Sequence, residues 1–165
     1  MENLYELDDY PGELPNPKRF PLRGATIIAI KGKPYAFCDG FMLDLLVREA
    51  DRKVLEEKVL RTVDISNQLE DGRGSKLLLS EPEFIYDSSY PTYIMFAPEG
   101  NPIGIQVKYY RYFRNRYKEC KFYKRDKNPL SIVTIKVGEE VVGLCMPIFL
   151  DVVTEIKAKE ERNGT

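Results

Sequence analysis

From Leu77 to Leu150 the chain is a succession of short apolar runs cut by turn residues. Pro82, Pro91 and Pro98 punctuate the first half. Pro98-Glu99-Gly100-Asn101 and Gly138-Glu139-Glu140 are turn signals. Connections this short favour antiparallel strands, because a parallel pair needs a crossover of about a dozen residues or more. The spacing predicts strands at Leu77–Leu79, Glu83–Tyr86, Thr92–Ala97, Ile103–Tyr110, Glu119–Arg125, Pro129–Val137 and Val141–Leu150. Upstream, Ala25–Ile30 and Tyr35–Cys38 flank Lys31-Gly32-Lys33-Pro34 as a hairpin. Phe41–Thr62 carries Leu43, Leu46, Val47, Ala50 and Val54 at helical spacing, with Glu49–Lys53 and Glu57–Arg61 pairs, and predicts the one long helix. The expected class is α+β: a mostly antiparallel sheet of eight or nine short strands with that helix.

The ends differ from this middle. Residues 1–24 hold four prolines and five acids before Leu14, so an irregular acidic arm is expected. Leu4, Tyr5, Leu7 and Tyr10 are apolar points by which it could fold over a basic surface. Residues 25–152 form the expected single domain and 153–165 a charged, frayed tail.

Composition excludes several chemistries. The chain has no His, which removes His-based triads, His proton shuttles and His-containing metal sites. Cys38, Cys120 and Cys145 are far apart and form no CxxC pair, so inert buried thiols are expected. No Gly-rich dinucleotide fingerprint occurs, and Gly72-Arg73-Gly74-Ser75-Lys76 lacks phosphate-loop spacing. Met1 is followed by acidic residues, and no apolar run approaches the roughly 20 residues of a membrane span. A cytoplasmic protein without membrane contact or cofactor is expected.

One stretch departs from the average. Lys108–Lys127 (KYYRYFRNRYKECKFYKRDK) holds nine Lys or Arg against Glu119 and Asp126, a net charge of +7 in a chain of −1. Seven aromatics sit among those charges. Cations that neutralise phosphates, beside rings that stack unpaired bases, suit nucleic acid, single- or double-stranded. The candidate contacts are Lys108, Arg111, Arg114, Arg116, Lys121, Lys124 and Arg125 on phosphates, with Tyr110, Tyr112 and Tyr123 for stacking. The same pattern also suits an amphipathic hairpin, its Tyr in the core and its cations in water. Arg114-Asn115-Arg116 is the expected turn between its strands.

Glu119-Cys120-Lys121 has the Glu-x-Lys form of metal-dependent nucleases, with Glu99 as a second acid. It resembles the restriction-endonuclease-like motif, which implies Mg²⁺-dependent cleavage, but that core expects flanking helices where this chain has strands.

Two further segments resemble the bacterial DNA sliding clamp. Arg23-Gly24 leads into Ala25–Ile30, a Lys-Gly turn and Tyr35-Ala36-Phe37-Cys38-Asp39-Gly40-Phe41-Met42-Leu43; Val141–Leu150 is similar to the clamp's closing Met-Pro strand. The two cover about thirty residues. Phe41, Met42 and Phe149 replace the family's His and Arg positions, and there is room for one such domain. The resemblance implies a partner-peptide pocket beside Met146 and Pro147. The sequence thus leads to a non-enzymatic, nucleic-acid-associated accessory protein, with a protein-binding adaptor of phage, plasmid or bacterial origin as the alternative.

Overall fold

The computed structural model describes residues 3–15 and 74–164 in full, and between them the backbone of residues 26–30, 33–38, 42–44 and 56–57. In chain order the elements are β1 (Leu4–Glu6), a 3₁₀ turn (Leu7–Asp9), β2 (Thr26–Ile30), β3 (Lys33–Cys38), β4 (Met42–Asp44), β5 (Glu56–Glu57) and β6 (Leu77–Leu78). Then follow β7 (Phe84–Asp87), β8 (Pro91–Phe96), β9 (Pro102–Gln106), α1 (Val107–Arg116), β10 (Lys121–Lys124), β11 (Val133–Val137), β12 (Glu140–Cys145) and α2 (Val152–Arg162). The class is α+β. One sheet has the order β1-β7-β8-β9, all antiparallel. The other runs β5-β2-β3-β4-β12-β11-β10-β6, antiparallel except for β2 with β5. Its β6, β10, β11 and β12 are described with side chains. The two clamp-like segments are neighbours there, because β4 pairs with both β3 and β12.

Both faces of the four-stranded sheet are buried, and period-two alternation divides its residues between two cores. Ile85, Tyr93, Met95, Ile103 and Ile105 face the larger core with α1, Phe122, Val133, Ile135 and Val142. Phe84, Ile94 and Phe96 face the smaller one, closed by Leu150 and Ala158 of the C-terminal segment. The layers are therefore α2, then the four-stranded sheet, then α1 with the second sheet.

Gly104 makes the outer layer possible. Ile148 N donates to Gly104 O at 2.7 Å, and a Cβ on Gly104 would sit 3.1 Å from Ile148 O, Leu150 Cδ2 and Thr92 Cγ2. Gly104→Val should cost about 1–3 kcal/mol, the usual range for overpacking, read as a lower urea midpoint at unchanged slope.

Three expectations are corrected. The helix over 41–62 is not one element, since Met42–Asp44 and Glu56–Glu57 are strands; its other residues lie outside those described. The strand beginning at Ile103 stops at Gln106, and α1 takes over at Val107, so Arg114-Asn115-Arg116 is a helix end rather than a hairpin turn. The alternation Ile103, Ile105, Val107, Tyr109 runs into a second pattern, Tyr109, Tyr112, Phe113, whose spacing is helical, and burial of that second set decides the conformation. The frayed tail is α2. Asp151 caps it by accepting from Thr154 N at 2.7 Å, which holds the Asp151 carboxyl below its ordinary range.

The acidic arm is partly regular. β1 pairs with β7, Tyr10 and Leu14 pack on the larger core, and Tyr5 meets Tyr10 edge-on at 5.5 Å. Leu4 joins the smaller core, while Leu7 stays exposed. Residues 16–24 lie outside those described.

Candidate functional site

The seven aromatics of the basic stretch are mostly interior. Tyr109, Tyr112 and Phe113 are at most 1% exposed, and Tyr110 is 7% exposed. Tyr110 stacks on Phe122 at 4.9 Å and meets Tyr93 edge-on at 5.2 Å. Neither Tyr110 nor Tyr112 offers a face to a base, so their stacking role is withdrawn. Tyr123 is half-buried, with Lys136 Nζ 4.9 Å from its ring centroid. The physical reason is area: each ring takes about 150–250 Å² out of water when it is buried.

The cations are largely spent on the fold as well. Arg114 reaches across the end of α1 to an ion pair with Glu81. Its Nε donates to Tyr110 Oη at 3.1 Å, and its Nη1 donates to Cys120 O at 2.8 Å and Lys118 O at 3.3 Å. Tyr110 Oη donates in turn to Glu81 Oε2 at 2.6 Å. This triad fixes the loop between α1 and β10 to the segment before β7. Hydrogen bonding from Arg114 holds the Glu81 carboxyl below its ordinary range despite partial burial. Burial and the Glu81 carboxylate both push the Tyr110 hydroxyl up. Burial opposes the Arg114 charge, but its bonds to Glu81 and Tyr110 more than offset this and raise its pKa.

Other predicted contacts divide similarly. Arg116 Nη1 donates to Tyr112 Oη at 2.6 Å. Arg111 Nη1 donates to Pro15 O at 3.3 Å, so the acidic arm does reach the outer side of α1 there. Lys108 lies with Nζ 5.1 Å from the Tyr109 centroid. Arg125 pairs with its neighbour Asp126 at 3.2 Å. Lys124 is 1% exposed, and its ammonium donates to Ser131 O, which removes it from any phosphate surface. Burial lowers the Lys124 pKa to about 8. Lys118, Lys121 and Lys127 remain exposed.

The proposed nuclease acids lie in two different loops. Glu99 is in the turn between β8 and β9, and Glu119 is in the loop before β10. Among the described residues no group of three or more His, Cys, Asp or Glu could hold a metal ion. Cys120 and Cys145 are free and buried, and burial pushes the Cys120 thiol up to about 11, where it is a poor nucleophile. A cleft of about 210 Å³ lies over the triad, where Ser80, Glu81, Arg114 and Lys121 meet Leu78 and Phe122.

The least expected surface is on α2. Phe149, Val152, Val153 and Ile156 are 70%, 69%, 60% and 52% exposed. Val152, Val153 and Ile156 share one side of α2, and Phe149 is exposed just upstream of it, before the extended Asp151 N-cap. The residues turned inward are small: Thr154 and Ala158 are the buried positions of α2. An ordinary surface helix does the reverse, with large apolar residues in and polar ones out. Met146 and Pro147, nominated by the clamp resemblance, lie just upstream; Met146 is half-buried and Pro147 buried. The apolar quartet was missed although Asp151 as N-cap and the 152, 153, 156 spacing announce a helix.

No protein-family model, curated protein or solved structure matches this chain. Among the described residues no helix is long and apolar enough to cross a membrane.

Proposed function

We propose that this protein is a non-enzymatic interaction module that docks an apolar surface of a protein partner on the outward side of α2. The observation that carries the reading is the exposed Val152, Val153 and Ile156 on a helix whose buried side is Thr154 and Ala158, with exposed Phe149 just upstream. Their exposed fractions leave roughly 500 Å² of residue surface open, within the range of the largest apolar patch on a monomer, which is often functional. A lipid surface is a poorer match. The helical segment carries Asp151, Glu155, Glu160 and Glu161 against Lys157, Lys159 and Arg162, whereas interfacial helices are rich in Lys and Arg. The buried thiols Cys120 and Cys145 suit a cytoplasmic location.

A photo-cross-linking residue in place of Phe149 tests this. The expected result is one protein adduct of defined mass, abolished by Ile156→Glu in the same chain. An adduct unchanged by Ile156→Glu, or none at all, would overturn the reading.

A second reading is nucleic-acid contact, and the exposure of Lys118, Lys121 and Lys127 favours it. Glu119 and the Arg125–Asp126 pair lie among them. Stripped of stacking by Tyr110 and Tyr112, it reduces to about three phosphate contacts, for a log–log salt slope of about −2 to −3.

A further inference from the structure

We infer that the outer edge of β1 is a second binding site, which adds an extended basic peptide to the four-stranded sheet and takes one of its Lys or Arg side chains into the cleft where β1 meets α2. None of Val152, Val153 and Ile156 lines that cleft, so the site is independent of the docking surface above. β1 is the outermost strand of its sheet, and among the described residues β7 alone pairs with it. Asp87 N donates to Asn3 O at 2.7 Å, in register with Leu4↔Tyr86, Tyr5↔Ile85 and Glu6↔Phe84. Hydrogen-bonded and non-hydrogen-bonded positions alternate along an antiparallel pair, so Tyr5 exchanges its bonds with Ile85 while Leu4 and Glu6 turn their backbone groups to the open edge. Glu6 is also the N-cap of the 3₁₀ turn, which takes its carbonyl. Leu4 N–H, Leu4 C=O and Glu6 N–H are the groups directed outward.

The cleft says what kind of strand fits there. It holds about 260 Å³. Leu4 and Phe84 form its apolar part, and Glu6, Asp9 and Glu161 outnumber Lys157 in its charged part. All three acids are exposed, and among the described residues none of them is in an ion pair. The side chains of Leu4 and Glu6 share the face of the sheet toward α2, because Leu4 packs with Phe84 and Ala158. On an added strand, the residue opposite Glu6 presents its side chain to the cleft, and the residue two along from it lies beside Leu4. The matching sequence is Lys or Arg, any residue, then an apolar residue. Opposite charges across strands attract, and the added backbone gives β1 its missing hydrogen bonds. A second copy is a poor occupant, because pairing β1 edge to edge would bring two sets of these acids together. The charge that keeps two such edges apart admits a basic strand.

Fluorescence anisotropy of the full chain with a labelled peptide of two Lys-Thr-Val-Thr repeats tests it. Saturable binding is expected. It should weaken about tenfold in Glu6→Lys/Glu161→Lys with circular dichroism unchanged, since each attraction becomes a repulsion. Glu139→Lys/Glu140→Lys, the same charge reversal where β11 turns into β12, should bind like the wild type. The peptide N-methylated throughout keeps its charge but cannot donate to β1, and it should also bind about tenfold more weakly. No binding up to about 1 mM would overturn the site. So would equal binding of the N-methylated peptide, or an affinity that Glu6→Lys/Glu161→Lys leaves unchanged. Should that double variant unfold, the N-methylated peptide on the wild type decides alone.

Discussion

Phe113→Ala should destabilise the protein by about 3–5 kcal/mol, the range for removing a buried aromatic ring. Phe113 is 0% exposed and touches three rings: Tyr112 at 5.3 Å, Tyr117 at 6.3 Å and Phe122 at 6.5 Å. These contacts join α1, its trailing loop and β10, so the loss should not stay local. Urea unfolding checks the size, and a loss under about 1 kcal/mol would show that Phe113 lies at a surface. The same ring on a solvent-facing hairpin would be nearly silent, which makes this substitution a direct test of helix against hairpin over 107–116.

Lys124→Met should stabilise the protein near neutral pH, and the gain should vanish in alkali. Burial lowers the Lys124 pKa to about 8 from 10.5 in the unfolded chain. Below pH 8 the ammonium is charged in both states, and the folded state carries the full cost of burying it. Above 10.5 it is neutral in both and the cost is gone. Between the two, wild-type stability gains from this group as pH rises, by on the order of 3 kcal/mol. Met removes that cost but leaves Ser131 O without its donor, so the net advantage at pH 7 is about 1–2 kcal/mol. Two other groups act oppositely in the same range. Cys120 is pushed up to about 11 and Tyr110 is raised, so each favours the folded state until pH exceeds its unfolded value and then loses that contribution. The difference between Lys124→Met and wild type isolates Lys124 from both. Denaturation at pH 7 and at pH 10 should show the advantage shrinking; a constant difference would contradict the buried ammonium.

The strands were the readable part of this fold. Residues 84–87, 91–96, 133–137 and 140–145 are mainly apolar runs with Pro, Gly or Asn nearby, and 121–124 alternates charged and aromatic residues, so local chemistry suffices for them. α1 was not readable, because its first residues continue the alternation of β9 and only tertiary burial separates the periods. The charges of the basic stretch misled for a related reason. Arg114 is committed by Glu81, thirty-three residues upstream, and Lys124 by Ser131 across a turn. Charge counted along a sequence does not show which cations the fold consumes. α2 carried a local signal in Asp151 and the apolar spacing after it, overshadowed by a strongly charged ending. Which side of α2 faces outward is a tertiary fact, fixed by Gly104 drawing in Ile148 and Leu150 and by Ala158 closing the smaller core.

The central claim is that most rings and cations of residues 108–127 are spent on the fold, and that the proposed working surface is on α2. Fluorescence anisotropy with single- and double-stranded oligonucleotides across a salt series, on wild type and Lys118/Lys121/Lys127→Glu, tests it most directly. The account predicts no saturable binding at about 50 mM salt and no difference between the two proteins. Saturable binding with a log–log slope of about −2 or steeper, lost in the triple variant, would contradict it and return the basic stretch to the centre of the function.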